Sequence, residues 1–286
     1  MSRLRIHSAA VKRPLRLAAV LAGAILCLGW SAETTRTVAW QAVQFFPPDL
    51  AHQVRKHHRR YDEGIRRGLA SPPAWRAGPP GLLGPALTDQ VVRCAKDLRR
   101  PVSLQQLVEE LGVLAVRVLD ANDPLAVSHR DNREPSYGRA YEQYVDSILD
   151  RVRIVYYSDG QRPSVTETGV DGFVAATMAR SRKLYPLIGE EFYRTGRLRN
   201  WRVLDDRSVT FGVAGVALSH GMTDLADLAA AIWRSGGGLV PSPKPTPRGH
   251  VGPTITLGLR GGFPERDRPK HGEPAMPRSR IQLPPP

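Results

Sequence analysis

The chain has 286 residues, enough for one large domain or two small ones, and a formal net charge of +14 at pH 7. Residues 1–39 and residues 236–286 each contribute +5 of that charge, so the middle of the chain is only weakly basic. The middle also has no basic stripe with interleaved aromatic residues, which argues against a nucleic-acid-binding surface there. The two cysteines, Cys27 and Cys94, are too few for a cysteine-rich zinc site.

Residues 1–39 have the organisation of a secretory signal peptide. Five basic residues and no acid occur in residues 1–16, and an uncharged run of 16 residues follows from Leu17 to Ala32. A membrane-spanning helix needs about 20 residues, so we expect a cleaved signal and export to the periplasm or the medium. Cleavage after Ala32 or after Ala39 would leave a small residue at the cut, and the second would make Trp40 the mature N-terminus. An uncleaved short N-terminal anchor is the alternative.

Residues 40–235 are predicted to form one helical domain, because apolar residues recur there with a spacing of three and four. The first long segment, residues 46–69, includes the adjacent His57 and His58. Neighbouring residues on a helix point about 100° apart, so these two are interpreted as part of a solvated basic face.

The stretch from Ser103 to Leu125 contains the clearest core helix, with one broad apolar face. Ser103 is positioned to cap its start. Asp120, Asn122 and Asp123 crowd its end just before Pro124, which disfavours helix at the residue before it. Spacing alone favours a helix-ending turn here, with a metal-binding or catalytic site as the alternative.

Three more helices are predicted before residue 235. The first carries Glu142 beside a tyrosine-lined face, and the second breaks near Pro186. In the last helix Gly212, Gly215, Ala217 and Ala226 are small enough to let another helix approach closely. One side of that helix carries His220, Asp224 and Asp227. His220 and Asp224 could form a metal-binding pair. The interpretation that we favour is a hydrogen bond between these two side chains within the helix.

Residues 236–286 are predicted to be a disordered, basic Pro/Gly-rich tail. They begin with a run of glycines, and 12 of the chain's 25 prolines lie beyond residue 240. Such a tail can contact anionic polymers or lipid head groups of the cell envelope, although a solubilising role is the simpler interpretation.

The order of these segments resembles the zinc-dependent phospholipase C and single-strand nuclease superfamily. The resemblance covers residues 40–233 and rests on FPPDLAHQVRKHHRRYDEGI, GVLAVRVLDANDPL, YEQYVDSI and the long final helix. It implies an all-α, multi-helix bundle that holds three zinc ions through the amino end of a mature N-terminal tryptophan, several histidines and carboxylates. Those metals activate a water to cleave a phosphodiester in phospholipid or nucleic acid.

Most ligand positions of that family are substituted in this chain. The family pattern of His, three residues, Asp, five residues and His falls on Val116, Asp120 and Ala126, while its His-x3-Glu pattern falls on Gly138 and Glu142. The resemblance therefore carries over Trp40, Asp120 and Glu142 as metal ligands, with Asp120 as the candidate catalytic residue.

We therefore expect an exported pseudoenzyme with a phospholipase C/nuclease-like scaffold that binds fewer than three zinc ions or none. One residual site made from Asp120, Glu142 and His129 remains an alternative. A non-catalytic cell-envelope binding or scaffold protein is the competing class, and no specific protein partner is indicated.

Overall fold

The computed structural model describes residues 30–70, 80–100, 103–128, 132–157, 165–194 and 200–240, and every regular element in those ranges is helical. The predicted all-α class is therefore confirmed. The α-helices are α1 (Ala32–Ala42), α2 (Pro48–Lys56), α3 (His58–Ala70), α4 (Leu83–Leu98), α5 (Leu104–Asn122), α6 (Pro124–Val127), α7 (Glu134–Ile148), α8 (Val165–Arg182), α9 (Tyr185–Arg194) and α10 (Val209–Ser235). His129 and the segments 1–29 and 241–286 lie outside the described residues.

Helix α5 is the centre of the fold. α3 packs along it most extensively, followed by α4 and α10, and α1 and α8 also contact it. From Leu111 to Asn122 every residue except Arg117 is buried. The sequence predicted one broad buried face, whereas the C-terminal half of α5 is enclosed on nearly all sides because several helices surround it.

The ends of α5 are fixed by local hydrogen bonds. Ser103 Oγ accepts from the Gln106 N–H at 3.3 Å, which confirms the predicted cap. At the other end the Asp123 N–H donates to Asp120 O at 3.2 Å, and Asp123 Oδ1 accepts from the Leu125 N–H at 2.9 Å. Pro124, as predicted, follows the last turn of α5, and it also begins the short helix α6.

Helices α3 and α5 touch through their backbones. A Cβ atom placed on Gly64 would lie 1.9 Å from Glu109 O, and one placed on Gly112 would lie 2.3 Å from Tyr61 O. One turn further on, Gly68 meets Val116. The two helices therefore run side by side in the same direction, at a separation that only glycine permits at Gly64 and Gly112.

The close helix approach predicted at Gly212 is wrong. A Cβ atom on Gly212 would have no neighbour within 4 Å, and one on Gly215 would meet only Val152 Cγ1, at an ordinary 3.6 Å. In α10 the tight position is instead Gly221, where a Cβ atom would lie 2.7 Å from a methyl group of Leu119.

Residues 30–39, which the sequence analysis assigned to the leader, are part of the packed structure. Trp30 is 3% exposed, and Val38 and Ala39 are fully buried within α1. Ser31 caps α1 by accepting from the Thr34 N–H at 3.0 Å. None of the helices in the described ranges is both long enough and apolar enough to cross a membrane.

Candidate functional site

The acidic end of α5 is the most polar part of the core. Asp120, Asn122 and Asp123 are each 1% exposed, although all three side chains are polar. Buried polar groups need hydrogen-bond partners, because an unmatched one costs about 1–3 kcal/mol. The partners therefore decide whether this turn serves the fold or a ligand.

Asp224 of α10 binds the α5 turn to α8. Its Oδ2 atom accepts hydrogen bonds from Arg180 Nη2 at 2.6 Å, Asn122 Nδ2 at 2.9 Å and Thr177 Oγ1 at 3.1 Å. Asn122 Nδ2 also donates to Val118 O at 3.0 Å. We call Asn122, Thr177, Arg180 and Asp224 the Asp224 cluster. Its carboxylate is fully buried and is neutralised by the Arg180 guanidinium, whose side chain is 26% exposed.

Tyr141 of α7 lies close enough to the α5 turn for the charge of Asp123 to act on it. Burial raises the pKa of the Tyr141 phenol well above its usual value, and the negative charge of Asp123 raises it further. Tyr141 therefore stays a neutral phenol, and it is 1% exposed. Its ring centroid lies 6.0 Å from that of Trp30.

The tryptophan that lies beside the acidic turn is Trp30, whose Nε1 donates to Leu119 O at 3.1 Å. Trp40 lies at the other end of α1, where its Nε1 donates to Asp62 Oδ1 of α3 at 2.9 Å. Its ring meets Tyr61 edge-on at 5.0 Å. In this structure the backbone nitrogen of Trp40 belongs to the last turn of α1.

Asp62 also binds Arg36 through two hydrogen bonds, at 3.0 and 3.1 Å. Burial opposes ionisation of Asp62, but the hydrogen bonds from Arg36 and Trp40 outweigh it, so the pKa of the Asp62 carboxyl is lowered. Trp40 thus contributes to a polar contact between α1 and α3.

The two positions where the resembled family has histidines near Asp120 are filled with core packing. Val116 is 1% exposed and lies against Gly68, and Ala126 is 9% exposed within α6. Gly138, which stands where that family has the histidine of its His-x3-Glu pattern, is buried in α7, while Glu142 one turn later is half-buried.

The described residues around Asp120 supply few of the donors that a zinc site needs. Over the described residues, no group of three or more His, Cys, Asp or Glu side chains is placed to hold a metal ion. Structural zinc sites use four such donors and catalytic zinc sites use three. His129, the third residue of the predicted residual site, lies outside the described ranges.

A separate open cavity of about 610 Å³ lies between α7 and α9. Its walls carry three tyrosines, an arginine and a glutamate: Tyr137, Tyr185, Tyr193, Arg133 and Glu190. Tyr185 Oη donates to the buried Glu134 Oε2 at 2.5 Å. The Arg133 guanidinium lies 4.8 Å from the centre of the Tyr193 ring. The cavity therefore offers aromatic surface together with charges of both signs.

No protein-family model matches this chain, and no curated protein is similar to it.

Sequence reasoning singled out Asp120, Asn122, Asp123 and Asp224 but did not connect them. Asn122 and Asp224 are 102 residues apart, and no periodicity relates them. Arg180 and Thr177 were not singled out, and nothing in the sequence of α8 itself links them to Asp224. The sequence analysis did not single out Tyr185 or Tyr193 of the cavity.

Proposed function

We propose that this protein is an exported, degenerate relative of the zinc-dependent phospholipase C and nuclease superfamily, and that its acidic turn holds the fold together without metal. The observation that carries this proposal is the Asp224 cluster. Three donors of the protein itself converge on one carboxylate oxygen, so the turn is stabilised by side chains from α5, α8 and α10.

The packing around Asp120 supports the same conclusion. Zinc sites rely on imidazole or thiolate ligands, and the positions one turn before and six residues after Asp120 are a buried valine and alanine. A histidine at residue 116 would need room where Val116 already lies against Gly68. The resembled hydrolase chemistry needs a metal-generated nucleophile, which this turn is not built to hold.

The test is a zinc measurement on the purified, exported protein after equilibration with zinc, together with hydrolysis of bis(p-nitrophenyl) phosphate. We expect no bound zinc and no hydrolysis above buffer. Zinc retained by the wild type and by the exposed control Asp206→Asn, but lost in Asp120→Asn, would show a working metal site and contradict the proposal.

The cavity between α7 and α9 favours a second candidate function, a non-catalytic binding protein of the cell envelope. Small-ligand sites in proteins occupy about 300–1,000 Å³ and combine aromatic walls with a few polar groups, which describes this cavity. Its ligand would present an apolar or ring face to Tyr193 and hydrogen-bonding groups to Arg133 and Glu190.

This second candidate is tested by NMR titration with an N-acetylglucosamine disaccharide, glycerol phosphate and phosphocholine. Binding should shift the Tyr193 ring signals, and Tyr193→Ala should abolish it. Tyr157→Ala is the matched control, because that tyrosine is also half-buried but lies against His220. Equal effects of the two variants, or no shift with any probe, would contradict a site in this cavity.

A further inference from the structure

We propose that the leader is removed by hydrolysis of the peptide bond between Gly29 and Trp30, so that Trp30 becomes the first residue of the mature protein. Water adds across that bond, which leaves a carboxylate on Gly29 and a new amino group on Trp30. This inference rests on the proposed export, and it assigns a processing site that differs from cleavage after Ala32 or Ala39.

The sequence before Trp30 suits a leader peptidase. That enzyme requires small residues at the last and third-last positions of the leader. Gly29 and Cys27 occupy those two positions, and the apolar run from Leu17 leads directly to them. At the Ala32 bond, by contrast, the third-last position is the large residue Trp30.

The structure shows that Trp30 belongs to the folded protein. Its side chain is 3% exposed, its indole N–H donates to Leu119 O, and its ring packs near Tyr141. It therefore contacts both α5 and α7. A leader residue has no reason to make such contacts, since it is discarded before the protein works.

Ser31 is equally integrated. It caps α1 through the Thr34 N–H, and its own hydroxyl donates to Asp146 Oδ1 of α7 at 2.5 Å. Thr34 Oγ1 donates to the same carboxylate oxygen at 2.7 Å. Cleavage after Ala32 would remove both the buried indole and the cap, which leaves the first turn of α1 without its partner.

Cleavage after Ala39 would remove still more. Val38 and Ala39 are fully buried, and Ala39 O accepts the hydrogen bond of the buried Tyr61 hydroxyl at 3.2 Å. The mature chain would then begin in the last turn of α1 and expose the core that α1 covers. The contacts of Trp30 and Ser31 therefore favour a cut before Trp30 over one after Ala32 or Ala39.

The experiment is expression of the full chain with its own leader in a bacterial host, followed by intact mass measurement and N-terminal sequencing of the exported fraction. We expect Trp30 as the first residue. An exported protein that begins at Glu33, Trp40 or Met1 would overturn the processing site and leave the export proposal intact. A full-length chain that stays inside the cell would overturn both.

Three variants of the full chain locate the cut independently of folding, because masses are measured under denaturing conditions. Gly29→Leu should abolish the Trp30 product and accumulate precursor. Ala32→Leu and Thr37→Leu are the matched controls, because they place the same side chain at the two alternative sites, on exposed and half-buried positions. Both should yield the Trp30 product as the wild type does. Loss of processing in either control, with Gly29→Leu processed normally, would overturn the proposal.

Discussion

Arg180 Nη2 lies 2.6 Å from Asp224 Oδ2, and this contact joins a partly exposed guanidinium on α8 to a carboxylate on α10 that is fully buried. The pair is stabilised by Asn122 and Thr177, which donate to the same oxygen. A buried ion pair with additional hydrogen bonds is costly to break, because removal of one partner leaves the others without an acceptor.

Asp224→Ala should therefore lower the free energy of unfolding by about 3 kcal/mol or more, since breaking a buried pair typically costs about 3–5 kcal/mol. Urea unfolding followed by circular dichroism measures this change. The control is Asp206→Ala, an exposed position where we expect a change within about 0.5 kcal/mol. Similar losses in the two variants would show that the Asp224 cluster does not stabilise the fold.

Gly64→Ala should destabilise the protein by about 1–3 kcal/mol, because the new methyl group would overlap the backbone of Glu109 and push α3 away from α5. Gly212→Ala is the matched control in α10, where the added methyl group meets nothing. That change should stabilise the protein by about 0.5–1 kcal/mol through helix propensity. Thermal unfolding of the two variants should thus shift in opposite directions.

The lowered pKa of Asp62 predicts how the stability of the protein depends on pH. The pKa of the Asp62 carboxyl is lowered in the folded protein, so it binds fewer protons there than in the unfolded chain. In the unfolded chain an aspartate has a pKa of about 3.9. Its contribution to stability is therefore complete above that value and is lost as the pH falls through the lower folded pKa. Wild type and Asp62→Asn should differ in their free energy of unfolding by a constant amount near neutral pH. This difference should become smaller below about pH 4. A difference that is unchanged in acid would contradict this prediction.

Cys94 is predicted to be unreactive in the folded protein. Burial, together with the charge of Glu110, raises the pKa of its thiol to about 12, so little thiolate forms at neutral pH. In the exported protein, from which we propose that the leader with Cys27 has been removed, iodoacetamide should label Cys94 in urea but not under native conditions. Rapid native labelling, located by mass spectrometry, would show that the α4 surface around Cys94 opens readily.

The helices and their ends could be predicted where the signal is local. Ser103, Pro124 and the apolar spacing of α5 each act within one or two turns, so the sequence indicated α5 and its acidic ending correctly. The enclosure of α5 could not be predicted, because it depends on which helices pack around it. Gly64 and Gly212 look alike in a helical pattern, and only tertiary packing distinguishes the first as a contact point.

The boundary between the leader and the folded protein could not be predicted from hydrophobicity, for a related reason. The apolar run continues from the leader into Trp30, and an apolar residue destined for the membrane looks the same as one destined for the core. The candidate site presents the same difficulty. Asp120 is marked by its neighbours in sequence, whereas the role of Asp224 depends on Arg180, which lies 44 residues away.

The backbone contact between α3 and α5 also limits how this molecule can move. Two helices that meet at Gly64 and Gly112 with no side chain between them cannot slide or rotate past each other without a collision of main-chain atoms. We expect the pair to act as a rigid spine, with the slowest amide hydrogen exchange of the protein along α5. Any opening that admits a ligand would then occur by displacement of outer helices such as α9, while the spine stays fixed.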